Sequence, residues 1–148
     1  RFQPACRTSN FSDCTAQEVT NAYDNTIAYT DKVLADLIDL LAAQDNLSTS
    51  MIYVSDHGES LGEKGLYLHG APYFMAPDEQ TKVPMIIWLS EGYQRATGVD
   101  LECLTAEPAP DYSHANLFHT LLGMTGVETA ERDPQLDIFD TCRKKSNG

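Results

Sequence analysis

An aspartate and a histidine stand side by side at the end of an apolar run, Ile52-Tyr53-Val54-Ser55-Asp56-His57-Gly58, and a second histidine, His69, follows a glycine-punctuated stretch holding Glu59 and Glu63. Carboxylate oxygen and imidazole nitrogen are donors that zinc accepts, usually four in a tetrahedron, with one place left for a reacting group when the site is catalytic. In a continuing strand Asp56 and His57 would point to opposite faces. Gly58 lets the chain turn at once, so that both side chains can aim at one point. The pattern nominates Asp56 and His57 as Zn2+ ligands, with His69 folded back over them by the loop. An Asx turn would also place Asp-His-Gly at a strand end, and a surface position is the alternative for His69. Glu59 and Glu63 face the same loop, as contacts for a substrate cation, as acceptors behind the ligands, or simply as solvated acids. His114 and His119 read as cap or boundary residues of a later helix, since a lone histidine counts as a ligand only where other donors converge on it.

The elements around this stretch must bring it to a sheet edge. Thr15-Ala16-Gln17-Glu18 forms a capping box, and apolar residues then recur every three or four positions from about Glu18 to Gln44, as in a long amphipathic helix that crosses most of a sheet. Asp24, Asp31, Asp36 and Asp39 fall mainly on its polar face, Asp31 being the one to inspect for a buried role. A polar link leads to a strand over 51–55, so helix and strand make half of a βαβ crossover. No periodicity holds from Asp56 to Lys82, and a loop that long is uncommon in a compact domain unless it is functional. A second strand follows over Val83–Leu89, with Pro84 at its start or on an edge. After the polar run Ser90–Asp111, Ser113 caps a helix over His114–Met124 that stops at Gly126. Leu136-Asp137-Ile138-Phe139 reads as a short strand, and Arg143-Lys144-Lys145 as a solvated basic tail.

The chain has 148 residues, 42% hydrophobic and 22% charged, with a net charge of -12. That is enough chain for one core, and no stretch approaches the roughly eighteen apolar residues of a membrane span. The negative charge argues against a nucleic-acid partner, whose phosphates it would repel. No apolar leader follows Arg1-Phe2-Gln3-Pro4. Four cysteines without zinc-knuckle spacing suggest two bridges, Cys6 to Cys14 and Cys103 to Cys142, and an oxidising compartment. Four buried thiols in a cytosolic protein are the alternative.

Tyr53-Val54-Ser55-Asp56-His57-Gly58-Glu59-Ser60-Leu61-Gly62-Glu63, followed by Tyr67-Leu68-His69-Gly70, resembles the lipid A phosphoethanolamine transferases, a family that includes chromosomal and mobile colistin-resistance enzymes. The likeness extends to Asn21-Ala22-Tyr23-Asp24-Asn25-Thr26, to Ala76-Pro77 and Val83-Pro84, to Tyr112-Ser113-His114 with Asn116-Leu117-Phe118, and to Thr141-Cys142-Arg143. It implies an α/β fold, an alkaline phosphatase/sulfatase-like sheet flanked by helices. Residues 1–148 would be its C-terminal part, with the upstream catalytic part and a membrane domain outside the chain.

The activity the resemblance implies is transfer of phosphoethanolamine from a phosphatidylethanolamine donor to a lipid A phosphate at the periplasmic face of the bacterial inner membrane, conferring polymyxin resistance. A zinc-bound threonine would be the nucleophile, and no threonine here stands in its context. By the same resemblance Asp56 and His57 match zinc ligands, His69 the histidine that contacts the phosphoryl group or a second zinc, and Glu59 a carboxylate near the ethanolamine ammonium. Competing readings are another metal-dependent hydrolase or phosphoglycerol transferase of the superfamily, or an inert module that keeps the fold.

Overall fold

The computed structural model describes residues 1–106 and 111–144. They form two compact units, Arg1–Ala43 with Met51–Ile87, and Gln44–Ser50 with Trp88–Gly148. No helix among the described residues is long and apolar enough to cross a membrane.

The first unit is built on α1 (Ala16–Ala42), which begins where the capping box places it. The Thr15 hydroxyl accepts from the Glu18 N–H at 3.2 Å, and the Glu18 carboxylate accepts from the Thr15 N–H at 2.8 Å. The first turn thus satisfies donors that a helix start leaves open. The N-terminal segment is strapped along this helix. Asn21 donates to the Pro4 carbonyl at 2.7 Å, Asn25 exchanges two bonds with the Phe2 backbone, and Cys6 bonds Cys14. Val19 and Asn21 are buried, whereas Ile27, Val33, Leu37 and Leu40 stay exposed. The expected apolar stripe is present, but its C-terminal half lacks the sheet it was expected to cross. Asp31 is exposed, so it has no buried role in the structure.

β1 (Ser50–Val54) pairs with β4 (Met85–Leu89). The Ser55 N–H donates to the Pro84 carbonyl, and the Ser90 N–H to the Thr49 carbonyl, so the two strands run antiparallel. Pro84 precedes the strand and supplies only its carbonyl, the role a residue without an N–H can fill.

The stretch 56–82, expected to lack regular structure, contains several short elements. β2 (Ser60–Leu61) and β3 (Tyr67–Leu68) form an antiparallel ribbon with Ser60 opposite Leu68, and α2 is a single turn over Asp78–Thr81. Two-residue strands are too short for periodicity to register, which is why the sequence hides them. Their anchor is Gln80, only 7% exposed. Its Nε2 donates to the Ser60 hydroxyl at 2.8 Å, its Oε1 accepts the Ala71 N–H at 3.2 Å, and its carbonyl accepts the Gly58 N–H at 3.0 Å. The backbones approach so closely that a Cβ on Gly58 would fall onto the Glu79 carbonyl. Glycine at 58 is therefore required by this contact, besides the turn.

In the second unit much of the polar run after β4 is helical. It folds into α3 (Glu91–Thr97), capped by Ser90 and closed by Gly98, and α4 (Leu101–Leu104), capped by Asp100. Polar composition concealed both, because short surface helices need only caps and one or two buried residues. Here Tyr93 is buried, and its hydroxyl donates to the Met124 carbonyl at 2.9 Å.

α5 spans Ala115–Thr125 and ends on Gly126 in the left-handed conformation. His114, not Ser113, occupies its N-cap position, while the Ser113 hydroxyl accepts the Ala115 N–H.

Residues 136–139 are turns rather than the expected strand. Side chains satisfy this segment in place of a ladder. Thr120 accepts the Ile138 N–H, Asn116 donates to the Leu136 carbonyl, and the buried Asp137 carboxylate takes the Arg132 guanidinium at 2.6 Å. Phe139 is fully buried among them.

The basic tail is not simply solvated. Arg143 bridges Val99, and Lys144 donates to the Gly98 carbonyl, beside the Cys103–Cys142 bridge, while Lys145 lies outside the described residues.

The Cys103–Cys142 bridge closes a separation of 39 residues. In the chain-entropy picture its loss costs about 4 kcal/mol, so a Cys103→Ser, Cys142→Ser variant should unfold at clearly lower urea than the parent. Replacing Gln80 by leucine keeps its bulk and removes its side-chain bonds. Stability should fall by about 1–3 kcal/mol, and hydrogen exchange should show the Ala71 amide losing protection ahead of amides in α1.

Candidate metal centre

The short ribbon and the Gln80 clamp set three side chains facing each other. His57 lies three residues beyond the end of β1, Glu59 directly before β2, and His69 directly after β3. One ligand atom from each of these three lies within 4.8 Å of the others. Donors on a common tetrahedral zinc are about 3.4 Å apart, so side-chain adjustments of about 1 Å would close the set. The imidazole rings of His57 and His69 lie 3.8 Å apart between centroids, and His69 Nδ1 is 3.2 Å from Glu59 Oε2.

His57 is oriented for ligation. Its Nδ1 lies 3.0 Å from the Gly58 carbonyl oxygen, which can only accept. Nδ1 therefore carries the proton in this bond, and Nε2 presents its lone pair outward. A backbone carbonyl behind one ring nitrogen is the usual support for a metal-binding imidazole.

Glu59 supplies the sharper sign. Its side chain is largely buried, and its Oε1 has no hydrogen-bond partner among the described residues. An orphaned buried carboxylate oxygen is costly unless a cation or donor meets it. Nearby, the Tyr23 hydroxyl is pushed above the usual phenol range, first by burial and then by the charge of Glu59. Tyr23 therefore stays protonated beside the carboxylate. An apolar cavity of about 240 Å³ adjoins Glu59, walled by Phe11, Val19, Ala22, Tyr23 and Leu68.

Asp56 stands apart from the three. Its carboxylate accepts the His57 N–H at 3.0 Å, and its Oδ2 is 3.8 Å from His57 Nε2, with the side chain 88% exposed. Glu63 turns away to accept the Leu61 N–H at 2.7 Å. His119 accepts the Asp133 N–H through Nδ1, a structural bond within the second unit. Leu68 adopts φ 65, a left-handed conformation that a branched side chain resists. Strain of this kind, on the order of 1–3 kcal/mol, sits immediately before His69. Gln80 escaped the reading of the sequence, and Tyr23 entered it only within the Asn21–Thr26 likeness, because neither belongs to a metal-ligand pattern and no local spacing links them to the site.

The sulfatase family model matches residues 1–127. Phosphoethanolamine transferase EptA of Escherichia coli K12 is 50% identical over 148 residues, covering 99% of this chain and 27% of that protein. Phosphatidylethanolamine transferase Mcr-1 of Escherichia coli is 47% identical over 89 residues, 60% of this chain and 16% of that one. Among solved structures, the integral membrane protein lipooligosaccharide phosphoethanolamine transferase A of Neisseria meningitidis matches with TM-score 0.93 and 40% identity. That match covers 97% of this chain and 27% of the other. The C-terminal periplasmic domain of EcEptC from Escherichia coli, in complex with Zn, matches with TM-score 0.73 and 26% identity, over 95% and 39% of the two chains. The chain thus spans about a quarter of the length of the EptA relative. It belongs to the sulfatase family, and the relatives it resembles over nearly its whole length are phosphoethanolamine transferases.

Proposed function

We propose that this chain is the C-terminal part of the catalytic domain of a zinc-dependent phosphoethanolamine transferase. The whole enzyme would carry phosphoethanolamine from phosphatidylethanolamine to a lipid A phosphate at the periplasmic face of the inner membrane, and so confer polymyxin resistance. The observation that carries the reading is the convergence of His57, Glu59 and His69 around an unpartnered buried carboxylate oxygen. Relatives that bear phosphoethanolamine transferase names, and a periplasmic neighbour holding zinc, support it.

In this reading Asp56 and His57 hold the metal, His57 through Nε2 while its Nδ1 is fixed by the Gly58 carbonyl. Bound there, zinc would lower the proton affinity of a coordinated hydroxyl and neutralise charge on phosphoryl oxygens. Glu59 Oε2 steadies the His69 ring, which leaves Oε1 for the metal or for the ammonium of the donor. His69 would contact the phosphoryl group and hold or deliver a proton at the leaving oxygen. The nucleophilic threonine and the remaining ligands belong to upstream sequence in this proposal. The four cysteines, all in disulfides, suit an oxidising compartment.

Two experiments test this. The 148-residue chain alone should show no phosphoethanolamine transfer and should hold zinc weakly, as calorimetric titration would reveal; turnover by the chain alone would contradict the division of the site. In the complete enzyme, Asp56→Ala and His57→Ala should each lower zinc content and reduce kcat/KM at least a hundredfold, with loss of polymyxin resistance at unchanged expression. Unchanged resistance would favour the inert module.

A further inference from the structure

The loop that carries His69 continues into a feature that the metal chemistry does not use. After Gly70 and Ala71 the chain forms a tight turn in which the N–H groups of Met75 and Ala76 both donate to the Pro72 carbonyl, at 2.8 and 2.9 Å. Three large apolar side chains stand on this turn: Tyr73 is 87% exposed, Phe74 86% and Met75 58%. Its base is held on both sides, by Gln80 at Ala71 and by α2 beginning at Asp78. The turn is thus a fixed tip, and its side chains project away from the unit that supports it.

Scattered exposed apolar residues need no explanation, but three in succession on a pinned turn beside a reactive site do. Tyrosine with a polar tip, phenylalanine and a flexible methionine suit the boundary between headgroups and acyl chains. The charge of the chain selects among membrane surfaces. At -12 it is repelled by anionic lipid, whereas a zwitterionic lipid imposes no such penalty. A structural neighbour of 40% identity is an integral membrane protein.

We propose that Tyr73-Phe74-Met75 is an interfacial finger that enters the headgroup region of a phosphatidylethanolamine bilayer and holds the His57, Glu59 and His69 cluster against the lipid being cleaved. This rests on the reading that the donor is that lipid. The finger shortens the path of the headgroup to the site, because a donor already in the bilayer need not be extracted fully into water.

The test uses the complete enzyme in phosphatidylethanolamine vesicles. All four cysteines of this chain are in disulfides, so Phe74→Cys offers a thiol within it for an environment-sensitive fluorophore. Blue-shifted emission, quenched by spin labels on the upper acyl chain, is expected. Emission at the aqueous value overturns the proposal, and so does a shielded signal that lipid-borne quenchers leave untouched, since polypeptide would then cover the tip. A Tyr73→Ser, Phe74→Ser, Met75→Ser variant should raise KM for vesicle-borne donor about tenfold while kcat, and turnover of a short-chain monomeric donor, stay unchanged. Equal loss on both donors also overturns it. If the parent enzyme transfers from neither donor, the functional reading fails, while the quenching result still decides where the tip lies.

Discussion

The site depends on one buried amide side chain. Gln80 binds the Ser60 hydroxyl with its nitrogen and the Ala71 N–H with its oxygen, and its backbone carbonyl takes the Gly58 N–H. Those three partners lie next to Glu59, two residues past His69, and directly after His57. An amide is the side chain that can donate to one segment and accept from another at once. Burial strengthens both bonds, since no water competes for them. Three chemically useful residues on a glycine-rich loop thereby share one fixed frame, and entropy that would otherwise scatter them is already spent in folding.

The frame leaves tension where the chemistry is placed. Glu59 Oε1 is buried without a partner, and Leu68 adopts a left-handed backbone immediately before His69. The first costs free energy that a cation or a hydrogen-bond donor would offset, and the second is backbone strain local to residue 68. Asp56 differs in kind. It lies in solvent, its carboxylate accepting the His57 backbone N–H.

Beyond its first turns α1 keeps several apolar side chains in solvent. Ile27, Val33, Leu37 and Leu40 are exposed, while Leu34, Ile38 and Leu41, on the face that the periodicity predicts, are half-buried. A two-stranded sheet is too narrow to bury a helix of 27 residues.

Features encoded within a few residues were legible in the chain itself. The Thr15 and Glu18 box fixed the start of α1, Gly126 its counterpart at the end of α5, and Pro84 the entry to β4, because caps and prolines act through backbone geometry alone. Asp56, His57, Glu59 and His69 could be named as chemistry-bearing for the same reason: their types and the glycines between them sit in one short window. What only the tertiary structure decided was distance. It grouped Glu59, rather than Asp56, with the two imidazoles, turned residues 136–139 from a strand into side-chain-bonded turns, and tied Arg143 to Val99. Each outcome depends on contacts between residues far apart in sequence, such as Gln80 with Ser60 or Thr120 with Ile138, and local spacing carries no record of those.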